Sequence, residues 1–133
     1  MCLSIVTTNK HDPSASGTDW KVFRVLRNKL YPMFFALSGP SYGVGVWYET
    51  YGFTQSDKRR VDSHLPPGKP YWRGFHLYTQ RSDALLKDSY TRAARKVRWR
   101  YLLATGYQTG ARCIVAKEIM IIPTRAEAKA NLA

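Results

Sequence analysis

Residues 97–104, VRWRYLLA, alternate with a period of two: Val97, Trp99, Tyr101 and Leu103 fall on one side, Arg98 and Arg100 on the other. Successive side chains point to opposite faces in extended backbone, so this run predicts a strand with one buried face and one solvated face. After the turn-rich TGYQTG (105–110) comes RCIVAKEIMII (112–122), the most apolar run of the chain. Apolar residues at consecutive strand positions mean that both faces are covered, which predicts a central strand. WKVFRVLR (20–27) alternates Val22, Arg24 and Leu26 against Phe23 and Val25, and VGVWYET (44–50) sets Val44, Val46 and Tyr48 against Trp47. Both read as strands, as do CLSIVT (2–7) and WRGFHLYT (72–79). LYPMFFAL (30–37) extends the 20–27 run into a hairpin, with Pro32 confining it to an edge.

The helical signal is confined to one region. Ser82 is a candidate N-cap with Asp83 in the first turn, where a carboxylate suits the helix dipole. From there a helix is expected to run to about residue 96, with Leu86, Tyr90, Ala93 and Val97 as its buried stripe. NKHDPSASGTD (9–19) is loop by composition, and 51–70, with three prolines and the run Lys58-Arg59-Arg60, reads as a long surface loop. The expected fold is a single α+β domain over 1–122: a mostly antiparallel sheet of about six strands with one main helix. Pro123 stops the last strand, and 123–133 is an Ala-rich tail with the character of a frayed helix.

Charge narrows the class of partner. Twenty-one Lys and Arg against nine acids give +12 and a pI near 10.0, a field that favours anionic partners. Lys87, Arg92, Arg95, Lys96, Arg98 and Arg100 lie between 87 and 100, opposed only by Asp88. With a helix and the following strand side by side, they would form one basic surface. Lys58, Arg59 and Arg60 supply a second patch, and exposed tyrosines such as Tyr42, Tyr51, Tyr71 or Tyr107 could stack on bases. The expected partner is nucleic acid or the acidic face of a nucleoprotein complex, although no zinc-finger, RNP or helix-turn-helix pattern is present. No run approaches the ~18 apolar residues of a membrane helix. MCLSIVTTNK has no basic region ahead of its short apolar run, so a soluble, cytoplasmic chain without a membrane partner is expected. The sequence leaves the oligomeric state open.

His76, in GFH after Arg73, is the residue with the most chemistry-like setting. An imidazole beside Tyr78 serves as a general base, as a ligand donor, or as a brace for a strand-to-helix corner. The brace is the favoured reading, because no paired-acid, Ser-His-Asp, Walker or Rossmann signature accompanies it. No cofactor is expected. His11 and His64 have no metal-triad spacing, and Cys2 and Cys113 sit far apart in apolar surroundings, so neither a metal site nor a disulfide scaffold is expected.

The order WKVFRVL, GVGVWYE, GFHLYTQRSDAL, IVAKEIMII over 20–122 resembles a group of small uncharacterised bacterial and phage proteins. In these a YKV strand, a G-x-x-Y strand and a GFH corner before a helix recur, followed by a VAKKI-like strand. Leu77 and Tyr78 replace the small residue and cysteine usual after GFH. The resemblance implies a fold and a bacterial or phage setting, and no established reaction. Together with the charge, it leads to the expectation of a binding protein, such as an inhibitor of a host defence complex of the anti-CRISPR kind. The chain is also distantly similar to the ADP-ribosyltransferase fold. That similarity implies an alternative: an enzyme with His76 and Glu118 at a nicotinamide site and Arg24 and Tyr78 beside them.

Overall fold

A computed structural model describes residues 3–31, 41–49, 71, 74–86 and 91–131. They form β1 (Ile5–Thr8), β2 (Asp12–Leu26), β3 (Lys29–Tyr31), β4 (Trp47–Glu49), β5 (Phe75–Tyr78), α1 (Arg81–Leu85), β6 (Arg92–Gln108), β7 (Ala111–Ile121) and α2 (Arg125–Asn131). All pairings among these strands are antiparallel. The α+β expectation of a mostly antiparallel sheet therefore holds, with seven strands among the described residues in place of about six.

The hairpin β6–β7 is the spine. Thr109 and Gly110 have φ of 50° and 85°, the paired left-handed conformation of a two-residue hairpin turn, and Gln108 and Ala111 close it. β6 is flanked on one side by β7 and on the other by β2 and then β1. β7 in turn pairs with β5 over 113–116 and with β4 over 118–120. β5 also meets β2, at Trp20 opposite Tyr78. The pairings β6–β2, β2–β5, β5–β7 and β7–β6 thus form a closed circuit. β2 and β7 lie on opposite sides of β6, so both reach β5 only if the sheet rolls up on itself.

The bend has a visible cause in β6. Tyr101 has a φ of 65° and lies within the register shift against β2, opposite the stretch between Asp12 and Ser16, and a second shift, against β7, follows between Leu102 and Ala104. Bulges of this kind sharpen the local twist and re-aim side chains. The β2 bulge is stabilised locally: Asp12 Oδ1 accepts bonds from Ser14 N at 3.1 Å and Ser14 Oγ at 2.6 Å. These two bonds lead the causes that hold the Asp12 carboxyl below its ordinary pKa.

Both faces of the rolled sheet carry a core. One cluster holds Leu3, Val6, Val22, Tyr78, Leu103, Val115 and Cys113 and is covered by Ala84 of α1. The other gathers Phe23, Leu77, Val97, Trp99, Ile114, Ile119 and Ile121. This explains why 112–122 is apolar at nearly every position. Cys113 is a free thiol, fully buried, and burial pushes its pKa up to about 11. Among the described residues no helix is long and apolar enough to cross a membrane.

The single main helix is corrected. α1 spans only Arg81–Leu85, its N-cap is Gln80, and Ser82 lies inside the first turn with Asp83. Arg92, Arg95 and Lys96 belong to β6, and Leu86, expected on a buried stripe, is 81% exposed. A run such as Ala93-Ala94-Arg95-Lys96 favours helix locally, but ladder pairing with β2 over residues 92–100 outweighs propensities of a few tenths of a kcal/mol per residue. The tail carries a second short helix, α2, capped reciprocally: Thr124 N bonds Glu127 Oε1 and Glu127 N bonds Thr124 Oγ1. Residues 12–19, read as loop, extend β2 instead. Gly17 is required there, since a Cβ would stand 3.0 Å from the Trp99 indole nitrogen that lies across it.

Candidate nucleic-acid interface

Strand parity sorts the arginines. Val97 and Trp99 are buried, while Lys96, Arg98 and Arg100 between and beside them are exposed on the opposite face of β6. Their partners in register share that face: Trp20, Thr18 and Ser16 on β2, and Met120 and Glu118 on β7. One strand further out, Trp47 and Glu49 of β4 lie opposite Met120 and Glu118. Four adjacent strands therefore build one surface, with Lys96 and Arg98 in its middle and a half-buried tryptophan at each flank. Among the described residues no acid lies within 4.0 Å of Lys96 or Arg98.

The flanking indoles are each held by a guanidinium. Arg100 stacks 3.9 Å from the Trp47 ring centroid and grips Glu118 with a fork, Nε to Oε2 and Nη2 to Oε1, each at 3.1 Å. Its charge is thereby partly spent on positioning Trp47. Arg81, at the start of α1, lies 5.3 Å over Trp20. Below Arg100, Lys117 pairs with Glu49 at 3.2 Å and lies 4.9 Å over the Tyr101 ring.

Other expected binding residues fall elsewhere. Arg24 and Arg92 share the same face and stand directly opposite one another in the ladder. They lie beyond Val22 and Ala94, which belong to the core side of that face with Ala84. Like charges directly opposed across a ladder cost stability, which an anion bound between them would relieve. Arg95 points to the other face, where it bonds Glu127 and the Ile122 carbonyl and ties α2 to the sheet. With desolvation opposing it, this ion pair and the Thr124 cap hold the Glu127 carboxyl below its ordinary pKa. Lys58, Arg59, Arg60 and Lys87 lie outside the described residues, as does Tyr51. Sequence reasoning missed Trp20, Trp47 and Arg81, because their convergence depends on β2, β4 and α1 flanking β6.

The enzyme candidates occupy four different surroundings. His76 Nε2 bonds the Tyr71 hydroxyl at 2.9 Å, and that hydroxyl accepts the Leu3 backbone N–H at 2.9 Å, so the corner is stapled to the N-terminal segment. Tyr78 is buried and its hydroxyl reaches Gln108 at 3.5 Å. Desolvation raises its pKa. Glu118 is in the fork of Arg100, and Arg24 stands between Tyr31 and Arg92. Gly74 allows the corner to close, since a Cβ there would meet the Ala116 carbonyl at 2.7 Å. Among the described residues no three His, Cys, Asp or Glu side chains gather as a metal site would require.

On the buried face, Trp99 Nε1 donates to Asp19 Oδ2 at 2.7 Å. Burial raises the Asp19 carboxyl above its ordinary pKa, and the indole bond partly offsets this. Trp99 is thus a structural anchor that fixes which face of β6 the basic residues occupy. Compared with protein-family models, with curated proteins and with solved structures, the chain matches none.

Proposed function

We propose that the four-stranded basic face binds nucleic acid, either free or within a nucleoprotein complex. The observation that carries this reading is Lys96 and Arg98 standing on an exposed sheet face with no acid within reach among the described residues. Adjacent cations on an exposed strand face attract anions, and phosphates gain affinity there by counterion release. The protein's net charge of +12 acts in the same direction at long range. The resemblance to small bacterial and phage proteins adds a setting: a phage or mobile-element binding protein that engages a host defence complex through its nucleic acid or an acidic face. The enzymatic alternative has less support, because the Glu118 carboxylate is occupied by Arg100 and the Tyr78 side chain is buried.

A tagged pull-down from bacterial lysate, with and without nuclease, tests the reading. Salt-sensitive recovery of nucleic acid is expected, and its loss in the Lys96→Glu/Arg98→Glu variant with an unchanged circular dichroism spectrum. Undiminished recovery by that variant would refute this location for the site.

A further inference from the structure

Resting on the polyanion reading above, we infer that the ligand of this face is single-stranded nucleic acid, with bases stacked at Trp20 and Trp47 and phosphates over Lys96 and Arg98. Phosphate attraction alone does not distinguish one strand from two. The tryptophans do. Both are half-buried on the same face as Lys96 and Arg98, by register: Trp20 is opposite Lys96, and Trp47 is opposite Met120, which is opposite Arg98.

From Trp20 to Trp47 the path crosses three strand spacings and one same-face step. At about 4.8 Å per spacing and about 6.7 Å per step, the flanks lie roughly 16 Å apart along the sheet. Two bases of one strand can occupy the two flanks, while the backbone between them passes over Lys96 and Arg98. Each indole is fixed by a guanidinium, Arg81 at 5.3 Å and Arg100 at 3.9 Å, and both the ring and the guanidinium plane are surfaces on which an unpaired base stacks. A duplex offers neither aromatic a base face, because its bases are stacked on one another inside the helix. A sheet with aromatics at its flanks therefore gains from unpaired bases what it cannot gain from a duplex. Thr18 and Ser16, exposed beside Arg98 and Arg100, add hydroxyl donors for sugar or phosphate oxygens.

Fluorescence anisotropy with a labelled oligonucleotide, single-stranded and then annealed to its complement, tests the inference at one fixed salt concentration. The single strand is expected to bind at least tenfold more tightly than the duplex. Trp47→Leu should weaken single-strand binding by roughly 5- to 100-fold, the range for loss of one base stack, and bring it toward the duplex value. Quenching of the wild-type tryptophan fluorescence by poly(dT), and not by duplex, gives an independent readout if that variant misfolds. Equal or tighter binding of duplex, or absence of quenching by poly(dT), overturns the single-strand inference and leaves the polyanion reading standing. No binding to either form, or to heparin, overturns both.

Discussion

Replacing Lys21 with methionine is expected to stabilise this fold at neutral pH. Lys21 lies on β2 with its stem partly exposed and its ammonium directed among apolar side chains, 5.8 Å from the ring centroids of both Phe23 and Phe75. Its one hydrogen bond among the described residues is to the His76 carbonyl, at 3.4 Å. Burial pulls its pKa from 10.5 down to about 8. At about 1.4 kcal/mol per tenfold change in proton affinity, the charged form costs about 3 kcal/mol at most relative to the unfolded chain. Methionine keeps the unbranched shape and removes that cost, while the lost hydrogen bond takes back about 1 kcal/mol. A net gain of about 1–2 kcal/mol at pH 7 follows. Between pH 8 and 10.5 the unfolded lysine holds a proton that the folded one has released, so wild-type stability rises with pH through that window. The penalty is fully present below pH 8 and gone above 10.5. Urea denaturation of both proteins from pH 7 to 10 should therefore show the advantage of Lys21→Met shrinking as pH rises. A difference independent of pH, or a less stable variant at pH 7, would refute the burial of this ammonium.

Three further outcomes follow from the same contacts. Tyr71→Phe removes the hydroxyl shared by Leu3 N and His76 Nε2, and should cost roughly 1–2 kcal/mol in denaturant titration while leaving heparin affinity unchanged. Lost heparin affinity instead would make the corner part of the binding site. Gly106→Ala places a Cβ 2.0 Å from the Ile5 carbonyl oxygen, so β1 must detach; a loss of roughly 3 kcal/mol is expected, with amide exchange accelerated in β1. With two phosphates neutralised by Lys96 and Arg98, log Kobs against log salt should have a slope of about −1.4 for a single strand, flattening toward zero in Lys96→Glu/Arg98→Glu.

The parts of the fold that were legible were those where local pattern and tertiary pairing agree. Alternation at 97–100 identified β6, although Leu103, read on the face of Val97 and Trp99, joins the other cluster beyond the bulge at Tyr101; the apolar run identified β7, because a strand covered on both faces carries the signal at every position. The failures lie where the two conflict. Ala93-Ala94 looks helical by itself and is held extended by Phe23 and Val22 opposite it. Ser16, Gly17 and Thr18 look like a loop and form a strand because Trp99 needs the space above Gly17. For the site, the basic residues were visible as a cluster, but grouping Arg95 with Lys96 assumed a helix. On a strand the two point to opposite faces, and only Lys96 remains on the exposed one. The indoles came from distant segments: 61 residues separate Trp20 from Arg81, and 53 separate Trp47 from Arg100, so no local window held either pair.

The central position of β6 also decides when this protein can fold during its synthesis. Ile5 waits for Tyr107, and Lys21 waits for Arg95. Until β6 (Arg92–Gln108) has been made, β1 and β2 emerge without the strand that will take most of their hydrogen bonds. β2 alone presents a bare edge fifteen residues long through that interval, apart from its short turn back to β3. Once Ile121 leaves the exit tunnel, β6 has both of its neighbours, and the ladder and the basic face form together. A truncated product therefore has neither a stable fold nor a partly working surface, and the exposed edge marks it for aggregation or degradation.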